Sequence, residues 1–393
     1  MIKRTLQELC LNITDGKHGD CENEENSGYY FISCKDIFDG QINYKNARQI
    51  TKADFEETHK RTMLEVDDIL LTNSGTIGRM AFVTDREATT KTTFQKSVAI
   101  IKPDKQKVLP RYLYYQLQNC VPQFINSSNG SAQKNLLLST MRTFQIEIEE
   151  NREKQEKIAN TLSAYDDLIE NNQKQIKLQE EAAQRLYKEW FVDLRFPGHE
   201  NTKIVDGVPE GWNEKTLSQV ADVIMGQSPK SEFYNSEKKG LPFHQGVGSY
   251  GVRFVMDDIY STSYTRIAEP NSILFSVRAP VGRLNISKNK VVIGRGLAAI
   301  NQTDGCQSYL YYLLKNKFFK DNIVGNGSIF ASVSKDELLN QKFLIPERNL
   351  MMQFEKIVSQ MDKQIENLDS KNKKLIEARD RLLPKLMSGE VEV

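Results

Sequence analysis

Cysteine is scarce in this chain of 393 residues: there are five, an odd number, and none of them forms a C-x-x-C pair. This spacing argues against a disulfide scaffold and a zinc ribbon, and it suits a reducing compartment. Long apolar runs are also missing, because no stretch approaches the roughly 18 apolar residues that a membrane span needs. The first residues contain no apolar leader segment. The sequence therefore predicts a soluble, cytoplasmic protein that does not enter a membrane.

Signatures of catalysis are absent as well. The sequence contains no G-x-x-x-x-G-K-[ST] phosphate loop and no H-E-x-x-H metal motif, and no G-x-G-x-x-G run directly follows a predicted strand as it does in a nucleotide loop. Its four histidines are scattered, and none lies at ligand spacing from a pair of cysteines. These absences predict no catalytic residue, no metal site and no cofactor in this chain. A site assembled from distant residues would carry no such local signature.

Neither sign of charge is in excess over the whole chain, which has 53 Lys and Arg and 52 Asp and Glu. Residues 1–146 carry 19 basic and 17 acidic residues, residues 147–193 carry 7 and 12, and residues 194–346 carry 18 and 14. Two mildly basic blocks are therefore separated by an acidic one. Mild basicity permits a polyanionic partner without requiring one.

The chain contains one unit twice. DILLTNSGTIGR at 68–79 corresponds to SILFSVRAPVGR at 272–283, and YLYYQLQN at 112–119 corresponds to YLYYLLKN at 309–316. In both copies the tripeptide NGS begins 17 residues after the start of the YLYY word. The same words in the same order and at nearly the same spacing indicate an internal duplication with a period of about 197 residues.

Each copy ends in a segment with heptad spacing. Its a and d positions are Ile158, Leu162, Tyr165, Ile169, Asn172, Ile176, Gln179, Ala183, Leu186 and Trp190 in the first copy, and Met361, Ile365, Leu368, Asn372, Leu375, Arg379, Leu382 and Leu386 in the second. This spacing predicts two long helices that pack as an antiparallel coiled coil. The asparagine in each seam either fixes the register while buried or faces solvent at a bend. Pro384 is expected to kink or terminate the second helix.

We therefore predict an α+β protein in which two homologous α/β modules are separated by two long helices. The predicted segments are module one at 1–147, a central helical segment at 148–195, module two at 196–346 and a C-terminal helical segment at 347–393. The tyrosines of the YLYY words are expected in the module cores rather than as stacking platforms. The residues expected in the coiled coil or at a partner are Ile158, Leu162, Ile169, Asn172, Ile176, Leu186, Trp190, Phe191, Leu368, Asn372, Leu375 and Leu382. Trp190 and Phe191 are candidate anchors for the modules or for a partner, and packing in a core is an equally open interpretation.

Side chains that form hydrogen bonds cluster in glycine-punctuated segments of both modules. Arg, Lys, Asn and Gln can form paired contacts with guanine or adenine, and Ser, Thr and backbone amides contact phosphates. On composition alone, ordinary solvent-exposed loops explain these clusters. The candidate DNA-binding residues of module one are Lys35, Asn73, Ser74, Thr76, Arg79, Lys91, Gln95, Lys96, Asn129, Ser131, Gln133 and Lys134. Those of module two are Gln227, Ser228, Lys230, Gln245, Arg278, Arg283, Arg295, Asn326, Ser328, Ser332 and Lys335.

The arrangement of the segments favours DNA binding. A helix from Ile158 to Trp190 is roughly 50 Å long at ~1.5 Å per residue, which corresponds to about 15 base pairs at ~3.4 Å per step. A rigid spacer between two related modules is typical of a protein that reads two separated half-sites. Because the two copies have diverged, the half-sites are expected to differ in sequence.

Several sequence words identify a family. In the second copy these are GQSPKSEFYN (226–235), LPFHQG (241–246), SVRAPVGRLN (276–285) and GRGLAAI (294–300), and in the first copy FISCKDI (31–37) and LTNSGTIGR (71–79). With the helical segments at 157–191 and at the chain end, they resemble the specificity (S) subunit of Type I restriction-modification enzymes over essentially the whole chain. The resemblance implies two target-recognition domains that read the halves of an asymmetric, bipartite sequence in double-stranded DNA.

The resemblance also implies partners and their cofactors. The helical regions are expected to dock two modification (methyltransferase) subunits and, through them, restriction subunits with translocase and nuclease activity. S-adenosylmethionine, ATP and Mg are expected in those partner subunits. This chain is then a non-catalytic recognition subunit of the complex.

Two alternatives make different predictions. A coiled-coil scaffold for protein interactions has no salt-dependent affinity for DNA. An enzyme whose site is built from scattered residues shows turnover by the purified chain alone. A DNA reader binds with an affinity that depends on sequence and falls steeply with salt.

Overall fold

The computed structural model describes residues 1–85, 87–128, 134–318 and 332–392. Its contacts divide the chain into two units: unit one contains residues 1–171 and 371–393, and unit two contains residues 172–370. Each unit thus combines one module with part of each long helical segment. In the described part of the chain, no helix is both long and apolar enough to span a membrane.

Module one is built around a four-stranded antiparallel sheet in the order β2-β10-β7-β8. A smaller sheet has the order β6-β3-β9, in which β3 and β9 run parallel. The strands are β1 Ile2–Thr5, β2 Cys10–Asp15, β3 Tyr30–Ile32, β4 Ile37–Phe38, β5 Gln41–Ile42, β6 Arg48–Gln49, β7 Ile69–Thr72, β8 Met80–Phe82, β9 Thr92–Phe94, β10 Val98–Pro103 and β11 Gln145–Ile148. The helices are α1 Lys52–Thr62, α2 Pro110–Asn119, α3 Val121–Asn126 and α4 Leu138–Thr143, and the long helix α5 Arg152–Phe191 follows.

Module two repeats this design. Its four-stranded sheet has the order β15-β23-β20-β21, and its smaller sheet again contains a parallel pair, β17 with β22. The strands are β12 Ile204–Val205, β13 Val208–Pro209, β14 Asn213–Thr216, β15 Ala221–Met225, β16 Tyr234–Asn235, β17 Leu241–His244, β18 Tyr260–Ser261, β19 Ile267–Ala268, β20 Ile273–Ser276, β21 Leu284–Ile286, β22 Val291–Ile293, β23 Leu297–Gln302 and β24 Lys342–Ile345. The helices are α6 Leu217–Val220, α7 Gln307–Phe318, α8 Lys335–Leu339 and the long helix α9 Arg348–Ser388. The equal strand order confirms the internal repeat that the sequence predicts.

The repeated YLYY words form the buried helices of the two modules. Tyr112 and Tyr115 of α2 and Tyr309 and Tyr312 of α7 are among the largest fully or almost fully buried side chains. Residues three and four apart share one face of a helix, and in each module these tyrosines lie in the core cluster that joins the main sheet to the long helices. The expectation that they belong to the cores is therefore confirmed.

The two long helices pack along the predicted seam within each unit. In unit one, Asn372 Nδ2 donates to the Ile169 carbonyl at 3.4 Å, and in unit two, Gln179 Nε2 donates to Gln364 Oε1 at 2.8 Å. The early part of α5 therefore meets the late part of α9, and the late part of α5 meets its early part, which is the antiparallel arrangement. Every predicted seam position is buried or half-buried.

The seam asparagines and Pro384 resolve two open points. Asn172 is 2% exposed and Asn372 is 7% exposed, so both are buried in the seam rather than facing solvent. Pro384 lies inside α9, which continues to Ser388. Of the two expected effects of Pro384, termination is therefore wrong, because one missing N–H removes a single backbone bond where the apolar face of the helix still packs, and the kink stays a prediction.

Candidate nucleic-acid interface

The turn after the third strand of the main sheet has the same hydrogen bonds in both modules. In module one, Thr72 Oγ1 accepts from Arg79 N at 2.9 Å, and the Thr72 carbonyl accepts from Gly78 N at 3.0 Å. In module two, Ser276 Oγ accepts from Arg283 N at 2.8 Å, and the Ser276 carbonyl accepts from Gly282 N at 3.0 Å. A hydroxyl at the end of the strand therefore holds an eight-residue turn in the same shape in each copy.

Glycine is required near the end of this turn. Gly78 has φ 96° and Gly282 has φ 86°, a backbone conformation that other residues rarely adopt. A Cβ atom on Gly78 would lie 2.5 Å from Val121 Cγ1, and one on Gly282 would lie 3.0 Å from Phe318 Cβ. The shared glycine of GTIGR and APVGR thus lets the turn pack closely on the helical layer.

A second close approach joins the main sheet to the smaller sheet. A Cβ atom on Gly16, just after β2, would lie 1.9 Å from the Phe94 carbonyl, and one on Gly226, just after β15, would lie 2.1 Å from the Gly294 carbonyl. Lys17 N donates to that Phe94 carbonyl at 2.8 Å. The ends of β2, β7 and β9 and the start of β10 are thereby brought to one edge of module one.

This edge contains a cleft of about 330 Å³, which we call cleft one, lined by Asp15, His18, Asn73, Ser74, Lys96 and Asn135. The structure brings together three of the predicted residues, Asn73, Ser74 and Lys96. Sequence reasoning missed the other three. The DGKHGD turn at 15–20 directly after a strand was the available signal for Asp15 and His18, whereas Asn135 gave none beyond its neighbour Lys134.

The charges around cleft one are largely balanced. Asp15 is 5% exposed and accepts from His18 Nε2 at 2.8 Å and from the Arg61 guanidinium. Lys17 Nζ donates to Asp54 Oδ1 at 3.1 Å, and this hydrogen bond raises the pKa of Lys17. By contrast, Lys96 is exposed and its ammonium has no hydrogen-bond or ion-pair partner among the described residues. Lys96 is therefore the cation of this cleft that a polyanion can reach without breaking an existing contact.

The corresponding edge of module two joins a different set of predicted residues. Ser228 Oγ donates to Gln245 Oε1 at 2.8 Å and accepts from Arg295 N at 3.3 Å. Arg278, in the turn after β20, forms a backbone bridge with Ser332. Ser228, Gln245, Arg278, Arg295 and Ser332 therefore border one edge of the sheet, as their counterparts do in module one.

A buried histidine supports this edge and was not found from the sequence. His244 is fully buried, with Nδ1 at 2.9 Å from Ser249 Oγ and Nε2 at 3.1 Å from Asp257 Oδ1. These contacts connect the end of β17, next to Gln245, to the following loop. Because the two partners lie 5 and 13 residues further along the chain, no local motif announces them.

The remaining candidates differ in their position. Lys35 follows β3 beside Cys34, whose N–H donates to Ser97 Oγ at 3.2 Å near cleft one. Lys91 precedes β9 and so lies at the opposite end of this strand from Gln95 and Lys96. The other described candidates lie in turns or at an element end, half-buried or exposed: Thr76, Arg79, Lys134, Gln227, Lys230, Arg283 and Lys335. Asn129, Ser131, Gln133, Asn326 and Ser328 lie outside the described residues.

Trp190 and Phe191, the two candidate anchors, belong to the core of unit two. The rings of Trp190 and Phe354 are 6.0 Å apart, and those of Phe191 and Tyr309 are 5.0 Å apart. This packing favours a role in holding module two to the helices. Among the residues that the structure describes, no group of three or more His, Cys, Asp or Glu side chains is placed to hold a metal ion.

Two like modules with matched but chemically different edges, on a shared pair of helices, define a bimodular recognition protein. The chain matches the family described as Type I restriction modification DNA specificity domain over residues 3–180 and 209–378, and it belongs to this family of specificity subunits.

Named relatives agree with this assignment. The Type I restriction enzyme MjaIX specificity subunit of Methanocaldococcus jannaschii is 27% identical over 92% of this chain and 87% of its own length. The Type I restriction enzyme HindI specificity subunit of Haemophilus influenzae is 24% identical over 74% of this chain and 80% of its own length. The crystal structure of the Type I restriction-modification system S subunit from M. genitalium superposes with a TM-score of 0.58 at 19% identity, covering 98% of this chain and 95% of that one. This last likeness supports the fold.

Proposed function

We propose that each module reads one half of an asymmetric, bipartite sequence in double-stranded DNA. The observation that carries this proposal is the pair of equivalent edges, which share their backbone hydrogen bonds and differ in their side chains. One framework that presents unlike side chains suits the recognition of two unlike half-sites, because hydrogen-bonding groups at base edges carry the sequence information.

The second part of the proposal concerns the helices. The α5–α9 pair sets the number of base pairs between the half-sites and docks two modification (methyltransferase) subunits, which restriction subunits then join. Exposed apolar side chains on both helices support such docking, among them Leu178 at 64% exposure and Met352 at 51%. S-adenosylmethionine, ATP and Mg belong to these partner subunits, and this chain itself catalyses no step. The complex acts in the cytoplasm, where it meets duplex DNA.

The experiment that tests the function maps methylated adenines in the host DNA with and without this gene. We expect one bipartite motif to lose methylation when the gene is deleted. In parallel, the purified chain with its methyltransferase should bind duplexes containing that motif with an affinity that falls steeply with salt. Salt-independent or absent DNA binding would favour the protein scaffold, and turnover by the chain alone would favour the scattered-site enzyme.

A separate experiment tests the spacer. We remove one heptad from each helix at matched positions of unit two, residues 173–179 of α5 and residues 364–370 of α9. Seven helical residues span about 10 Å, so the accepted spacing between half-sites should shorten by about three base pairs. An unchanged spacing in a folded variant would contradict the role of the helices as the spacer. It would not affect the proposal that each module recognises a half-site.

A further inference from the structure

Equivalent positions of the two modules either share their chemistry or differ in it. The pair formed by Lys96 and Arg295, each just before the central strand of the main sheet, keeps a positive charge in both copies. The dipeptide at the start of the turn does not keep its chemistry, since Asn73–Ser74 in module one corresponds to Val277–Arg278 in module two. A phosphate is the same at every site, whereas base edges differ, so shared and unshared chemistry indicate different contacts.

The backbone confirms that these positions are equivalent. Asn73 N donates to the Ser97 carbonyl at 3.1 Å, and the Asn73 carbonyl accepts from Leu136 N at 2.8 Å. Val277 forms the same two bonds in module two, to the Gly296 carbonyl at 3.0 Å and from Val333 N at 2.8 Å. The fold therefore forms this segment equally well with a valine, and it does not require the carboxamide of Asn73.

The side chain of Asn73 lines cleft one without a partner. The residue is 4% exposed, and its Oδ1 atom accepts no hydrogen bond in the described part of the chain. A buried polar atom left unpaired is costly, and such groups concentrate where a ligand supplies the missing bond. Ser74, the next residue, is half-buried on the same cleft.

Arg278 presents the opposite situation in module two. It is exposed, and its guanidinium has no hydrogen-bond or ion-pair partner among the residues at 1–85, 87–128, 134–318 and 332–392. Because strand β20 pairs with β23 and Val277 N reaches Gly296, Arg278 lies across from Arg295, as Ser74 lies across from Lys96. A guanidinium can donate two bonds to guanine O6 and N7, and a carboxamide can pair with adenine N6 and N7.

We propose that the two residues at the start of this turn are the base-reading positions of each module, Asn73–Ser74 for an adenine and Arg278 for a guanine. Lys96 and Arg295 bind the flanking phosphates. This assignment rests on the proposed function, because it needs each module to contact DNA.

The test exchanges the dipeptides between the modules of the full chain. The variants are N73V with S74R in module one and, separately, V277N with R278S in module two, each assembled with its methyltransferase and selected against a library of random duplexes. We expect the module-one variant to change its preference at one base pair from adenine to guanine by about 10- to 100-fold, with the other half-site unchanged. The module-two variant should show the reverse change in its own half-site.

The outcomes distinguish a failure of this inference from a failure of the proposed function on which it rests. If the wild-type chain selects a bipartite sequence and both variants select that same sequence, the base-reading assignment is wrong and the function stands. If the wild-type chain, assembled with its methyltransferase, selects no sequence at all, the proposed function fails first. Should a double variant not fold, R278K provides the same test, because lysine keeps the charge but loses the paired contact to guanine.

Lys96→Ala and Arg295→Ala are the matched controls. Each should weaken binding to all duplexes by a similar factor and reduce the dependence of log affinity on log salt by about one. A changed consensus sequence in either variant would contradict the phosphate assignment.

Discussion

The two units attach their module to the helices through the same tyrosine, but the cation beside this tyrosine comes from a different part of the chain. In unit one, Tyr115 of the YLYY helix donates to Asp166 Oδ2 at 2.6 Å, and Arg379 of α9 donates to Asp166 Oδ1 at 2.6 Å. At this contact, which we call the joint of unit one, Asp166 and Arg379 both belong to the long helices and the module contributes the Tyr115 hydroxyl. Arg111 of the module forms a separate ion pair with Asp167 of α5 at 3.7 Å.

In unit two the module supplies the cation. Arg253 is 2% exposed and pairs with Asp362 of α9 and with Glu180 of α5 at 3.5 Å, while its Nη1 atom donates to the hydroxyl of Tyr312, the counterpart of Tyr115, at 3.2 Å. The Tyr311 ring centroid lies 3.9 Å from its guanidinium carbon. The duplication therefore kept the packing residue and changed the charged residues around it, so the two joints are not interchangeable.

The largest effect that this comparison predicts is for Arg253→Met. The substitution leaves two carboxylates, Asp362 and Glu180, without their cation and removes a guanidinium that is itself almost fully buried, which should lower the free energy of unfolding of unit two by about 3–5 kcal/mol. Arg379→Met, the matched change in unit one, should cost only about 1–2 kcal/mol, because Arg379 is itself partly solvated and its removal leaves only one partly buried carboxylate, that of Asp166, without a cation. Tryptophan fluorescence in a urea titration reports unit two selectively, since Trp190 and Trp212 both lie in its core, and circular dichroism in the same titration reports both units. Equal losses for the two variants would show that the joints are equivalent after all.

The second-largest expected effect is a dependence of stability on pH, which Asp68 gives to unit one and which Ser272, its counterpart in module two, does not give to unit two. Burial raises the pKa of Asp68 to about 6, although hydrogen bonds from Lys102 and from the Glu65 N–H lower it. The native state thus binds the proton of the Asp68 carboxyl group more tightly than the unfolded chain does. This proton therefore stabilises the native state fully below pH ~4, and the stabilisation is lost as the pH rises to about 6. The loss amounts to at most about 3 kcal/mol.

Urea titrations of unit one between pH 4 and 7, followed by circular dichroism, measure this dependence. In Asp68→Asn the slope of stability with pH over this window should flatten, while unit two, which carries Ser272 at this place, should keep its own profile. A slope that persists unchanged in the variant would exclude Asp68 as its source.

The smallest effect tests the unpaired carboxamide of Asn73. Asn73→Val replaces a buried, unsatisfied polar group by the residue that module two uses, so we expect unit one to become more stable by about 1 kcal/mol. Thermal unfolding followed by circular dichroism measures the change, with Val277→Asn as the reciprocal control that should lose stability. A destabilised Asn73→Val would indicate that the carboxamide supports the fold.

Elements with a local pattern could be predicted, and contacts that cross the sheet could not. The 4-3 spacing from Ile158 to Trp190 predicted the long helix and its buried face, since helix periodicity is a property of neighbouring residues. The lining of cleft one could not be predicted from such a local pattern, because His18, Asn73 and Lys96 are distant in sequence and meet only once β10 lies between β2 and β7. The partners of Arg253 were missed for the same reason, and those of His244 were missed because no local motif announces them.

By itself, the sequence determined the duplication, the paired helices and the turn glycines Gly78 and Gly282, since each depends on repeated words, on periodicity or on backbone freedom within a few residues. Only the tertiary structure decided which polar side chains share an edge, that Asn73 is buried without a partner while Arg278 is exposed, and that the joint of unit two takes its cation from the module. These outcomes depend on strand order and on the packing of module against helix, where burial sets the free energy of each charge and no single segment of sequence contains both partners.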